Sequence, residues 1–260
     1  MTINNVASSQ LNNSMIRIAT GQRINSAADD AAGLAISERM NAQIRGLEQG
    51  TRNTMDMQSL VNTAEGGLSS ISNNLHRMRE LTLQASNGIL TDSDRQNIQS
   101  EIDQIWSEID ATAQRTEFNG MRVLDGGFNG HTASDANGQG PTVTIGNMSA
   151  DMLLGQSLYG DFDVVNGDTQ ENIQRIDNAL AQVTSERSYL GAVSNRFDTT
   201  IASNQITNLN MAAARSRIAD ADIALAVMEM EQQSILEQAQ IMAERRQQEQ
   251  EGIQIASLLG

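Results

Sequence analysis

Ten of the 20 glycines and the only proline, Pro141, fall between Gly120 and Gly167. The two flanking arms are therefore free of proline and open to uninterrupted helix. A chain built this way can bury its arms against each other and against neighbouring copies. Composition limits how it does so. The 260 residues are 39% hydrophobic and only 3% aromatic, with 13 Met, so the core is aliphatic and thin. Extended helices sharing apolar seams fit this composition better than a compact globule with a thick centre. Such seams call for partners.

The formal charge is 17 minus 32, or −15, and every basic residue is Arg. A strongly acidic surface repels phosphate backbones and anionic lipid, which argues against nucleic acid and membrane as partners. The guanidinium fork suits bidentate contacts at interfaces. With no Cys there is no disulfide, thiolate metal site or cysteine nucleophile. Residues 1–20 lack the apolar run of a secretory signal, and no window approaches the ~18 apolar residues of a membrane span.

In the amino-terminal arm, Ser26 followed by Asp29 forms a capping-box pattern, and helix is expected from about Ala27 to Ser86. Its stripe is Met57, Leu60, Ala64, Leu68, Ile71, Leu75, Met78, Leu81 and Ala85. Gly33, Gly46, Gly50, Gly66 and Gly67 weaken this helix by up to ~1 kcal/mol each, and either close approach of another backbone or local bending would account for them. Asn87 and Gly88 stop the helix, and Thr91 with Asp94 starts an antiparallel neighbour. The second seam is Ile98, Ile102, Ile105, Ile109 and Ala113, with Trp106 packing beside it.

Residues 117–168 carry Asn-Gly and Asp-Gly turns around strand-like runs at Met121–Leu124 and Thr142–Ile145. They read as a small β-hairpin region, glycine-rich and able to bury little. Asp168 caps a third long helix, whose seam of Ile173, Ile176, Leu180, Val183, Leu190, Phe197 and Ile201 is near-heptad. Arg187 and Ser194 fill the missing slots, and Asn204 and Asn208 follow as polar seam residues that fix register. The stripe resumes from Ile218 to Met242 with a break near Asp220, where a bend or change of partner is expected. The arm ends in Ile253, Ile255, Leu258 and Leu259.

Chemistry finds no footing. The two histidines, His76 and His131, have no zinc spacing, Asp29 and Asp30 suit the positive end of a helix better than acid–base work, and no Ser-His-Asp elbow or phosphate loop occurs. The sequence therefore points to no catalytic residues, no cofactor and no metal, and to a protein that is not an enzyme.

Specific residues go further. Gly21 to Ile36 reads GQRINSAADDAAGLAI and is followed, in order, by QIRGL at 43–47, TRN at 51–53, TAEGG at 63–67, LHRMREL at 75–81, TEFNGMRVL at 116–124 and RIADAD at 217–222. This series resembles the signature of bacterial flagellin. Arg23, Ile24, Asn25, Ala27, Asp29, Asp30, Ala31 and Gly33, with Phe118, Asn119 and Gly120, are the signature and packing residues it implies. The resemblance implies a mainly α fold, a long antiparallel helical bundle or coiled coil with a small β-hairpin region. Its segments would be a shortened amino-terminal tube segment (1–23), rod helices (24–116), the hairpin region (117–168), a carboxy-terminal rod helix (169–205) and a second tube segment (206–260).

The function it implies is that of a structural subunit of the flagellar filament, self-assembling through its terminal helices for motility. The implied partners are copies of itself in a helical filament or another flagellin in a copolymer, an export chaperone at the carboxy-terminal arm, the filament cap and the host's flagellin-sensing Toll-like receptor. Location would be extracellular, on the flagellum, after export without a cleaved signal peptide. The receptor epitope maps by resemblance onto Leu75, His76, Arg77 and Leu81 on the first long helix and Glu101 on the second. The other member of this class is a hook–filament junction protein or a minor, poorly polymerising flagellin. The short stretch before Gly21 and the charged run AERRQQEQEG at 243–252 predict a rod that folds but polymerises weakly or with a partner flagellin.

Overall fold

A computed structural model describes residues 2–155 and 162–259. The side chains of residues 2–9, 251 and 254–259 lie outside the described residues, and with them the apolar side chains of Ile255, Leu258 and Leu259. The chain forms two compact units, Arg45–Asn208 and the pair of segments Met1–Ile44 and Leu209–Gly260. The elements in order are α1 (Thr2–Thr20), α2 (Ala27–Ala85), α3 (Asp92–Arg115), β1 (Glu117–Phe118), β2 (Met121–Arg122), β3 (Asn129–His131), β4 (Thr142–Thr144), α4 (Ala150–Leu154), α5 (Thr169–Ala219) and α6 (Ile223–Leu259).

The unit Arg45–Asn208 is built on the predicted seams. Leu60, Ala64, Leu68, Ile71, Leu75, Met78, Leu81 and Ala85 of α2 are buried, as are Ile98, Ile102, Trp106, Ile109 and Ala113 of α3 and Ile176, Val183, Leu190 and Phe197 of α5. All join one cluster, with Met57, Ile105 and Leu180 packed against it. Each such side chain removed from water contributes roughly 1.5–3 kcal/mol. Polar links on the rim fix the register of α2 against α5. Gln58 donates to Asp198 at 2.7 Å, Arg79 to Asp177 at 2.7 Å and Arg187 to Glu65 at 2.8 Å. Residue numbers rise along α2 as they fall along α5, so the pair is antiparallel. Arg187, which interrupts the apolar repeat, is the side chain that pairs with Glu65.

The start of α3 is capped as the sequence predicts. Asp94 N–H donates to Thr91 Oγ1 while Thr91 N–H and hydroxyl donate to the Asp94 carboxylate. The bonds from Thr91 hold the Asp94 carboxyl below its usual value of 3.8. A depressed carboxyl stabilises the fold above its unfolded value and loses that contribution as pH falls through the folded one. Replacing Thr91 by Ala is expected to cost about 1 kcal/mol. It should also flatten the loss of helical signal below pH 3.8 in a circular-dichroism titration.

The middle segment holds the expected hairpin strands but not the expected exposure. β1 pairs with β2 and β3 pairs with β4 in two separate antiparallel ladders. The first ladder turns through Asn119 and Gly120, with φ of 51° and 74°, the conformation that a two-residue type I′ hairpin requires and Asn-Gly supplies. The region also buries much more than its glycine content predicts. Val123, Leu124, Val143, Ile145, Met148, Ala150, Leu153, Leu154, Phe162 and Val164 all enter the helical core. A short glycine-rich segment cannot close a core alone, but here it lies on seams the helices leave open. Trp106 accordingly meets Phe162 from this segment, ring centroids 6.2 Å apart and tilted by 60°. The Gln99 side chain holds the same segment in both directions, donating to Phe162 C=O and accepting from Val164 N–H.

Candidate assembly and recognition surfaces

The signature residues form a joint between the two arms. The chain leaves α1 at Gly21, whose φ is +69°, and runs beside the end of α5. Arg23 N–H donates to Ala219 C=O at 2.7 Å, Ala221 N–H to Gly21 C=O at 3.0 Å and the Arg23 guanidinium to Ile218 C=O at 2.6 Å. The predicted break near Asp220 is therefore real, and its partner is the backbone of residues 21–23. Ile24 is buried beneath it.

Asp29 and Asp30 then do different work. Asp29 accepts from the backbone N–H groups of Asn25 and Ser26 and from the Ser26 hydroxyl, and these bonds hold its carboxyl below 3.8. Asp30 interrupts α2 with extended backbone, φ −165° and ψ 96°, and accepts from Gly33 N–H at 2.8 Å. It is an N-cap, and the long helix proper starts after it. A Cβ at position 33 would stand 2.5 Å from the Asp30 carboxylate and 2.7 Å from Ile24, which explains the glycine. Ala27 and Ala31 are exposed.

Three α2 glycines admit the middle segment. A Cβ on Gly46 would meet Ala136 Cα at 2.9 Å, one on Gly50 would meet Ser134 C=O oxygen at 2.5 Å, and one on Gly67 would meet Thr116 and Leu124 at 2.7 Å. The loop between β3 and β4 seats there, and two amides clamp it: Asn53 donates to Ala133 C=O at 3.0 Å and Asn204 to Ser134 C=O at 2.7 Å. Asn204 thus serves a loop from outside its own seam. His131 closes the same loop through Nε2 to Gly138 C=O. Gly50→Val should push the loop off α2, with a loss of about 1–3 kcal/mol in a urea titration.

The apolar side chains of α6 are spread round the helix, and several of the largest are exposed. Toward α1 it turns buried or half-buried Ala226, Met230, Gln233 and Gln240, and Ser14 of α1 donates to Gln233. On the opposite face, Met228, Ile235, Met242 and Ile253 are 60%, 64%, 63% and 69% exposed. At 100° per residue these four fall within about 40° of one line. Met15 and Ile16 of α1 are exposed as well, and every residue from 241 to 250 is exposed.

The residues mapped to the receptor epitope separate by depth. Leu75 and Leu81 lie in the core, whereas His76 and Arg77 are exposed and Glu101 is half-buried. Arg77 donates to Glu101 Oε1 through Nε and Nη2, at 3.0 and 2.7 Å, and reaches Glu80 at 3.4 Å. These bonds, with Glu101 first, raise the affinity of the guanidinium for its proton. The surface offered is therefore a paired charge cluster beside His76, and the two leucines support it from below. Among the described residues no group of His, Asp and Glu is arranged to hold a metal ion, and no helix is long and apolar enough to cross a membrane.

The family model for the bacterial flagellin N-terminal helical region matches residues 1–129, and that for the bacterial flagellin C-terminal helical region matches residues 173–255. A flagellin of Bacillus subtilis is 39% identical, over 98% of this chain and 94% of its own length. One from Halalkalibacterium halodurans is 38% identical over 93% and 90%. A flagellar filament core protein of 31.3 kDa from Treponema maltophilum is 37% identical over 86% and 84%. Among solved structures, Bacillus cereus flagellin matches at 33% identity with a TM-score of 0.50, covering 63% of this chain and 94% of that one.

Proposed function

This chain belongs to the bacterial flagellin family and is a structural subunit of the flagellar filament, and from that premise we propose that it assembles through the outward face of α6, against further copies of itself or a second flagellin. The observation that carries this reading is a set of exposed apolar side chains on α6. Met228, Ile235 and Met242 line up away from the chain's own partner helix, and Arg246 interrupts the same line before Ile253. An apolar row of this length is costly in water and is relieved when another helix covers it. The charged run Ala243–Gln250 weakens that seam toward its end, which favours copolymerisation over vigorous self-assembly.

The subunit acts outside the cell and reaches the filament unfolded, without a cleaved signal, with an export chaperone shielding the same α6 face and the filament cap receiving it. The exposed His76 and Arg77, with the half-buried Glu101 paired to Arg77, form the receptor-facing patch. The function needs no catalysis. Seeding with ammonium sulfate, followed by electron microscopy, tests the assembly reading. Regular filaments from this chain alone establish a homopolymer, growth only beside a second flagellin establishes a copolymer, and failure of both refutes it.

A further inference from the structure

The assembly row alternates chemistry as well as position. Met228 and Met242 lie two heptads apart on either side of Ile235, each about three-fifths exposed. Met78 and Met148, by contrast, are buried at 0% and 6%. The chain has no Cys, so no thiol competes for an oxidant and thioethers are its softest nucleophiles. Other exposed methionines, such as Met121 and Met152, belong to the middle segment and lie off the α6 row. Met228 and Met242 are the exposed methionines that flank Ile235 in this row.

We propose that Met228 and Met242 form a reversible oxidation site on the assembly face, whose conversion to sulfoxides by a hydroperoxide blocks polymerisation of the unassembled chain. The reaction is a two-electron oxidation. A sulfur lone pair attacks the terminal peroxide oxygen, the O–O bond breaks, an S–O bond forms, and the departing oxygen takes up that oxygen's proton and leaves as water from hydrogen peroxide or as an alcohol from an organic hydroperoxide. Each product replaces a flexible apolar thioether with a polar, chiral group. Two such groups, flanking Ile235 at either end, leave an apolar partner helix facing oxygen atoms it cannot hydrogen-bond. Reduction of the sulfoxides by a methionine sulfoxide reductase, with a thiol as electron donor, restores the row.

The inference rests on the assembly reading, and its test separates the two. The whole chain is treated with hydrogen peroxide and digested, and each methionine is followed by mass spectrometry while seeded polymerisation is recorded. Met228 and Met242 should oxidise at least about tenfold faster than Met78 and Met148, and polymerisation should fall at least about tenfold, recovering on enzymatic reduction. The Met228→Leu/Met242→Leu variant keeps side-chain volume and should polymerise after peroxide within about twofold of its untreated level. Equal oxidation of the four methionines overturns the proposal. So does normal polymerisation of doubly oxidised chain, or an equal loss in the leucine variant. If untreated chain does not polymerise even with a second flagellin, the assembly reading falls and the proposed block falls with it, while the oxidation ratio still decides whether the two thioethers are selectively reactive.

Discussion

Ile235→Glu should abolish incorporation into seeded filaments while leaving the thermal transition of the free subunit within experimental error. Ile235 is 64% exposed in the isolated chain, so glutamate there stays in water and costs the subunit little. Glutamate is also a good helix former, and α6 keeps its backbone bonds. In the proposed assembly the same position is covered by a neighbouring helix, and an unpaired carboxylate would be buried at a cost of several kcal/mol. The loss recurs at every subunit added, so an effect of at least about two orders of magnitude in incorporation follows. Electron microscopy and sedimentation of the seeded reaction measure it. Normal incorporation would show that the outward row of α6 faces solvent in the filament and that some other surface joins the subunits.

The opposite behaviour is expected of Phe197→Ala. Phe197 is fully buried at the seam of α5 and is one of only four phenylalanines in a chain that is 3% aromatic. Truncation should therefore leave a cavity and cost roughly 3–5 kcal/mol. Trp106 is the only tryptophan and is buried in the same cluster, so its fluorescence reports the transition without a label. A urea midpoint unchanged by the substitution would mean that the core relaxes around position 197. Phe197→Leu should recover most of the loss, since a single large aliphatic side chain refills much of the space.

The helices were legible because burial there repeats at helical spacing, and Thr91 with Asp94 announced a cap that the structure contains in full. Legibility failed where partners are distant in sequence. Nothing local to Asn204 says that its amide serves Ser134, 70 residues away, and a seam-register role was the natural reading. The glycines of α2 implied a close approach, but only the folded loop identifies Ser134 and Ala136 as what approaches Gly50 and Gly46. Asp29 and Asp30 read alike as acids of a first turn, whereas one ties the entry loop and the other starts the helix. The middle segment misled because its glycine content hid how many of its alternate residues are aliphatic. At the mapped epitope, depth on the first helix was legible in the spacing. Leu75 and Leu81 share a stripe with buried neighbours, and helical spacing places His76 and Arg77 off that stripe.

The joint between the arms has a consequence for which sequences can occupy it. Residues 21–23 and 219–221 are held together largely by main-chain groups, Arg23 N–H to Ala219 and Ala221 N–H to Gly21. Main-chain bonds are indifferent to most side chains, so the joint tolerates wide variation at Gln22 and Asp220 yet is closed to one residue. Proline at position 23 or 221 removes the donor outright, and such a chain would keep every apolar seam intact while losing the register between its two ends.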